Sequence, residues 1–141
     1  MIMRHLSILG LLFLIGTASL QAEDFSFTPT SVAAGSYVDL ELNLTCEADR
    51  WGGLQFDITL PDGFSIGSYG GDCIAEVTDR LRYNNGKGEF GVYGSILENG
   101  KYRIVIDNSA YKTLNGTEGA LLTLRLACAT SVATGDYNIG L

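Results

Sequence analysis

The amino-acid sequence predicts an all-β sandwich of nine short strands. Between residues 36 and 141 apolar residues recur at every second position, which is the side-chain period of a β-strand. Turn sequences such as Pro61-Asp62-Gly63 and Asn99-Gly100 separate the runs. No helical period continues for ten residues after residue 22. Short alternating strands with such frequent turns are typical of sandwiches and barrels.

Nine strand candidates follow one another along the chain. The clearest alternation lies in the second, where every other residue from Val38 to Cys46 is apolar. Asn99-Gly100 stands between the sixth and the seventh and predicts a hairpin. The predicted strands are Asp24–Thr28, Ser36–Cys46, Leu54–Leu60, Ile74–Thr78, Arg80–Tyr83, Phe90–Leu97, Lys101–Asp107, Ala120–Cys128 and Asp136–Leu141.

Residues 1–22 have the composition of a secretory signal peptide. Arg4 precedes an apolar run from Leu6 to Leu20, and the expected cleavage follows Ala22, with Ser19 as the alternative position. The run is short for a transmembrane span, so we expect a cleaved signal rather than an anchor. We therefore predict one domain at residues 23–141, with no transmembrane segment, that is secreted to the extracellular space, cell surface or periplasm.

The composition argues against several classes of function. The net charge of −7 repels phosphate backbones, so nucleic acid is not an expected partner. The only histidine, His5, lies in the predicted signal peptide, and the domain therefore lacks the imidazole of Ser-His-Asp or Cys-His catalysis and of most zinc and copper sites. Acidic residues sit in turns or face outward without the pairing of a glycosidase. We expect a non-enzyme without cofactor or metal.

The three cysteines leave two interpretations open. Cys46 and Cys128 each end an inward-facing apolar series, and export permits a disulfide, so they are the candidate pair. Alternatively, these two and Cys73 are buried free thiols that pack as small hydrophobic groups. The sequence does not supply the Cα separation that a disulfide requires.

Several segments resemble a cohesin domain, in the same order and over nearly the whole of residues 23–141. They are residues 35–44, 53–64, 119–126 and 135–141. More narrowly, the chain is similar to cohesin-like modules in secreted and surface proteins of gut Bacteroidetes-type bacteria. The most specific pieces of that resemblance are residues 54–63, 78–80 and 100–105.

The resemblance implies a jelly-roll sandwich that binds a dockerin, a small helical calcium-binding module carried by polysaccharide-degrading enzymes. It also implies that binding uses one flat sheet face, made of the third, fifth, sixth and eighth strands. Many dockerin-binding cohesins carry Asp or Asn early in the third strand, where this chain has Gly53 and Gln55. Carried over to this sequence, the outward residues of that face are Gln55, Asp57, Thr59, Arg80, Arg82, Tyr93, Ser95, Thr123 and Arg125.

The resemblance favours one function, the non-catalytic binding of a dockerin-type protein in assemblies that degrade polysaccharide. Two alternatives stay open. A carbohydrate-binding module would contact a glycan through exposed aromatic rings in a row or along a groove. A structural or adhesive domain would polymerise through an exposed edge strand. The aromatic candidates for contact are Trp51, Tyr69, Tyr83, Tyr93, Tyr102 and Tyr111.

Overall fold

The computed structural model describes residues 3–6, 24–48 and 51–141, and nearly all of their regular structure is β. Every strand pairing in this part of the chain is antiparallel. The all-β prediction is confirmed. The strands are β1 (Met3–Leu6), β2 (Asp24–Phe27), β3 (Thr30–Ala33), β4 (Tyr37–Thr45), β5 (Leu54–Ile58), β6 (Phe64–Gly67), β7 (Ala75–Val77), β8 (Arg82–Tyr83), β9 (Gly88–Glu89), β10 (Gly91–Ile96), β11 (Tyr102–Asp107) and β12 (Ala120–Cys128), with a 3₁₀ turn at Asp79–Leu81.

Two main sheets pack against each other. In the larger sheet β4 lies between β2 and β12, and β6 and β7 follow one another along the far edge of β12. The smaller sheet has the order β10-β11-β5. Across the two layers the ring of Phe25 in β2 lies 5.6 Å from the ring of Phe56 in β5. The hydrophobic core therefore sits between the sheets, as in other β-sandwiches.

The core is built from the alternating residues that the sequence predicted to face inward. Complete burial of an aliphatic side chain stabilises a fold by about 1.5–3 kcal/mol, so the fully buried residues of the two sheets carry most of the stabilisation. The residues with no exposed surface include Leu40, Leu42, Leu44, Ile58, Ile104, Ile106, Leu122, Leu124 and Leu126.

The turn at residues 61–64 requires the glycine that the sequence places there. The Phe64 amide donates to the Pro61 carbonyl at 3.1 Å, and Gly63 takes a φ of 85°. A Cβ on Gly63 would collide with the Val132 side chain. Glycine alone meets both the left-handed backbone and the close approach.

The hairpin between β10 and β11 is confirmed, with a three-residue loop rather than the two-residue loop that Asn-Gly usually forms. The Leu97 amide donates to Lys101 across the loop, and the Gly100 amide donates back to the Leu97 carbonyl at 2.9 Å. Gly100 has a φ of 80°. This is a turn followed by a left-handed residue, the second commonest way to close a hairpin.

Of the nine predicted strands, Arg80–Tyr83 is a strand only in its second half and Asp136–Leu141 is not a strand, while four short strands are not predicted at all. The segment Arg80–Tyr83 begins as a 3₁₀ turn, because the Thr78 hydroxyl caps it by accepting from the Arg80 amide at 3.3 Å. Asp136–Leu141 contributes an isolated bridge from Gly140 to Thr59 instead of a strand. The unpredicted strands β1, β3, β6 and β9 have four residues or fewer, too short for alternation to be visible.

The prediction that residues 1–22 are a signal peptide falls mostly outside the described residues. Within that stretch only β1 is described, and it pairs with β3 in the register Met3↔Ala33 to Leu6↔Thr30. No helix in the described ranges is both long and apolar enough to cross a membrane.

The predicted disulfide between Cys46 and Cys128 is wrong, since all three thiols are free. The Cys46 amide bonds to Thr117, just before β12, whereas the Cys128 amide bonds to Ser36, just before β4. Because β4 and β12 are antiparallel, the two cysteines lie at opposite ends of the same ladder. Ten residues of strand separate these ends by roughly 30 Å, against the ~7 Å between Cα atoms that a disulfide can span.

Arg80, predicted to face a partner, is buried with 8% of its surface exposed. The 3₁₀ turn directs its side chain inward. Among the described residues, none of its hydrogen-bond acceptors is a carboxylate. The guanidinium instead donates to four backbone carbonyls and one thiol. These acceptors are the carbonyls of Leu44, Asn115, Gly116 and Gly119 and the Sγ atom of Cys46.

We expect Arg80→Met to lower the free energy of unfolding by about 3 kcal/mol or more, because it leaves several buried carbonyls without a donor at ~1–3 kcal/mol each. Urea unfolding followed by circular dichroism measures this loss. Arg82→Met is the matched control: its exposed ion pairs with Asp79 and Glu89 contribute about 0–1 kcal/mol. Equal losses in the two variants would contradict the assigned role of Arg80.

The thiols are expected to differ in reactivity, because Cys73 is exposed while Cys46 and Cys128 are buried. The alternative of three buried thiols is thus wrong for Cys73. A colorimetric thiol reagent should modify one cysteine of the folded protein rapidly and all three after denaturation. In Cys73→Ser the rapid phase should disappear; a rapid phase that persists would show that a buried thiol is accessible.

Candidate functional site

The outer surface of the smaller sheet collects side chains from three strands into two rows. Register places Tyr93 of β10 beside Val105 of β11, and Val105 beside Gln55 of β5. We call this surface, together with the neighbouring row, the sheet face. The second row consists of Ser95, Arg103 and Asp57, and Thr59 continues the same side of β5 beyond the strand.

Five of the predicted contact residues thus lie together on the sheet face. They do so because the period of a strand is two, so outward residues on paired strands share one side. Gln55, Thr59, Tyr93 and Ser95 are exposed, and Asp57 is half-buried. These five are Gln55, Asp57, Thr59, Tyr93 and Ser95.

An ion pair crosses the centre of the sheet face. Arg103 donates to both carboxylate oxygens of Asp57, from Nε at 2.7 Å and from Nη2 at 2.9 Å. This fork geometry fixes both side chains. The Arg103 hydrogen bond holds the pKa of Asp57 below its usual 3.8, against the opposing effect of burial.

Tyr93 is the large aromatic residue of the sheet face and is 60% exposed. Its ring lies back over Gly91, where a Cβ would collide with it. The absence of a side chain at Gly91 therefore lets the ring lie along the strand. A ring held in this way is a suitable anchor for a partner, because little rotamer freedom remains to be lost on binding.

The other predicted contact residues do not join this surface. Arg80 is buried, as described above. Arg82 lies in the β8-β9 ribbon, where it pairs with Asp79 at 2.9 Å. Thr123 and Arg125 do face outward, but β12 belongs to the larger sheet, so they lie on the opposite surface of the sandwich.

A second ordered cluster surrounds Arg125 on that opposite surface. Its guanidinium carbon lies 4.4 Å from the ring centre of Tyr69 and 5.3 Å from that of Tyr37. The Tyr69 hydroxyl donates to Asp39 Oδ1 at 2.7 Å. Burial, aided by Asp39, raises the pKa of Tyr69 to about 12.

Sequence reasoning missed two residues of the sheet face, Arg103 and Val105. The signal for them was present: Tyr102, Ile104 and Ile106 share the inward parity, so the residues between them must face outward. The face expected from the resemblance includes β12 in place of β11, and it therefore omits both residues. The structure pairs β11 with β5, and the other neighbour of β5 is the C-terminal segment at Gly140.

In the described ranges, no three His, Cys, Asp or Glu side chains come together as a metal site. The chemistry of the sheet face is accordingly that of hydrogen bonding, one ion pair and an exposed ring.

Comparison with known proteins identifies the fold. The sequence matches no protein-family model and no curated protein significantly. The seventh type I cohesin of ScaB from Pseudobacteroides cellulosolvens, however, matches with a TM-score of 0.53 over 77% of this chain and 82% of that chain. The chain has a cohesin-like β-sandwich fold. At 9% sequence identity the likeness concerns the fold alone.

A second solved structure gives a weaker match. It is the sixth cohesin of scaffoldin B from Acetivibrio cellulolyticus, solved in complex with a mutant Cel5 dockerin. The match has a TM-score of 0.47 and 19% identity, and it covers 71% of this chain and 66% of that chain.

The ion pair on the sheet face predicts the titration of Asp57. Because its pKa is lowered on folding, its stabilisation is complete above the unfolded pKa of about 3.9 and is lost as the pH falls through the folded value. NMR of the Asp57 carboxyl carbon should give a midpoint below 3.8. In Arg103→Met the midpoint should rise toward 3.8. Arg125→Met, on the opposite surface, should leave it unchanged, and an unchanged midpoint in Arg103→Met would contradict the pairing.

Proposed function

We propose that the protein is a non-catalytic binding module that captures a protein partner of the dockerin type through the sheet face. The observation that carries the proposal is the arrangement of Tyr93, Gln55 and Ser95 with the Arg103–Asp57 pair in two adjacent rows on one surface. The cohesin-like fold supports it, because the cohesin resemblance implies binding through a flat sheet face.

The composition of the sheet face favours a protein partner. Protein interfaces place a few anchors, often Tyr and Arg, within a surround of polar contacts. Tyr93 supplies the exposed ring, while Gln55, Thr59 and Ser95 supply hydrogen-bond donors and acceptors near it. The outer surface of a sheet suits a protein partner better than it suits a small ligand, which needs a concave site.

The charge of the sheet face is close to neutral, unlike the chain as a whole at −7. Arg103 and Asp57 neutralise each other at the centre. Recognition should therefore depend on the ring and on hydrogen bonds rather than on long-range attraction. Binding of this kind is expected to weaken little with added salt.

The biological setting is part of the same proposal. The predicted signal peptide at residues 1–22 supports secretion to the extracellular space, cell surface or periplasm. Dockerins, as the cohesin resemblance implies, are carried by polysaccharide-degrading enzymes. A module exported in this way would assemble such enzymes without catalysing a reaction itself.

The test is capture of a partner from secreted and surface proteins of the source organism on the immobilised protein, with and without calcium. We expect calcium-dependent capture of a protein with duplicated calcium-binding loops, because the implied partner folds around calcium. Tyr93→Ser should reduce the affinity for the captured protein about tenfold or more, as loss of an anchor does.

Tyr37→Ser is the matched control, since Tyr37 is similarly exposed, at 67%, but lies on the opposite surface. It should capture the partner as the unchanged protein does. Capture that survives Tyr93→Ser but fails in Tyr37→Ser would move the binding surface to the Arg125 cluster. Failure to capture any calcium-loop protein would remove the dockerin-type partner.

A further inference from the structure

A polar groove lies beside the sheet face, between the β8-β9 hairpin and the loop at residues 107–115. It consists of two open cavities of about 620 and 510 Å³, which adjoin because Tyr83 lines both. We call this the loop groove. Each cavity falls within the ~300–1,000 Å³ typical of small-molecule sites. No residue of the proposed function except Tyr93, at one end, borders the groove.

The hairpin wall of the loop groove has a fixed shape. Asn84 and Asn85 take φ values of 51° and 55°, and the Gly86 amide donates to the Tyr83 carbonyl at 3.2 Å. Positive φ at both central residues is the turn that matches the twist of a two-stranded ribbon. Both asparagines line the larger cavity, and the turn fixes the backbone from which their amides extend.

The opposite wall is held by one side chain, Asn108. Its Oδ1 accepts from the amides of Ala110 and Lys112, at 3.1 and 2.9 Å, and its Nδ2 donates to the Lys112 carbonyl at 2.9 Å. The loop is thereby closed on itself. Asn108 lines one cavity and Lys112 the other, so this loop runs along the whole groove.

Tyr111 lies at the tip of that loop and has an unfavourable backbone conformation. It is 97% exposed and has a φ of 55°. A bulky residue in the left-handed region costs about 1–3 kcal/mol, and structures that retain such strain often do so at binding sites. The exposed ring gains nothing for the fold, which indicates that it serves a contact outside the chain.

The lining of the loop groove combines aromatic rings with amides and charges. The Tyr83 ring is held against Phe90 at 6.1 Å and borders both cavities, and the exposed Tyr111 belongs to the loop that forms the facing wall. Rings take up the C–H face of a sugar, while Asn, Asp and Lys side chains bond its hydroxyl groups. A groove that spans two cavities accommodates more than one sugar ring.

The charges of the lining exclude a polyanion. Lys112 and Arg82 are basic, whereas the acidic residues Asp79, Glu89 and Asp107 outnumber them. The chain as a whole carries −7. A uronic-acid or sulfated polysaccharide would therefore be repelled, and a neutral saccharide would not.

We propose that the loop groove binds a neutral oligosaccharide, with Tyr83 and Tyr111 stacking on sugar rings and Asn84, Asn85 and Lys112 bonding hydroxyl groups. This site adjoins the surface proposed for the protein partner and shares only Tyr93 with it. The module would thereby hold a polysaccharide chain beside any enzyme that it captures.

Calorimetric titration of the purified protein with cellohexaose, xylohexaose, mannohexaose and polygalacturonate tests this proposal. We expect at least one neutral hexaose to bind and polygalacturonate not to bind. Tyr111→Ala should weaken that binding about tenfold or more, because stacking is lost. The double change Asn84→Gly with Asn85→Gly should do the same, since glycine keeps the positive φ and removes only the amides.

The melting temperature of each variant shows whether the fold is retained, and Tyr37→Ala on the opposite surface should bind as the unchanged protein does. The proposal is overturned if no neutral hexaose binds, if polygalacturonate binds in preference, or if both groove variants bind normally. Capture of the protein partner by Tyr111→Ala should be unaffected, so failure of either proposal is recognisable without the other.

Discussion

The buried guanidinium of Arg80 is the contact on which the relative placement of several segments depends. It joins three segments that the chain order keeps apart: the end of β4 at Leu44, the loop before β12 at Asn115–Gly119, and the 3₁₀ turn that carries it. A charge in this position is costly unless all its donors are bonded, and here backbone carbonyls replace a carboxylate. Because the same turn leads into β8 and its hairpin, Arg80 also sets the position of the hairpin wall of the loop groove.

The alternation of apolar residues explains the rest of the architecture, because it gives each sheet one buried and one outward side. The buried sides meet in one core, where Phe25 and Phe56 contact across the layers. The outward sides are then free for different chemistry: an ion pair and Tyr93 on the smaller sheet, and Arg125 between two tyrosine rings on the larger.

The sequence predicts which side of a strand each residue faces, but it does not predict which strands pair with one another. The residues expected to face outward on β5, β10 and β12 do so, because a period of two is local. Which sheet receives a strand depends on distant pairing, and for that reason Thr123 and Arg125 were assigned to the wrong surface. The same limit applies to Cys46 and Cys128, whose parity was read correctly while their antiparallel strands separate them. The 3₁₀ turn at Arg80 and the loop groove arise from caps and loop closure, which leave no periodic pattern in the sequence.

The exposed tyrosines distinguish the surfaces of this molecule. Tyr37, Tyr93 and Tyr111 are each at least 60% exposed and lie on the larger sheet, the smaller sheet and the loop at residues 107–115. Tyr37 packs on Arg125 and Tyr93 lies over Gly91, so both gain contacts within the fold. Tyr111 has a strained backbone and almost no covered surface, although the sequence could place glycine there at lower cost. An aromatic ring at the least favourable of these three positions is best explained by contact with a ligand. The adjoining loop groove is where that ligand would bind.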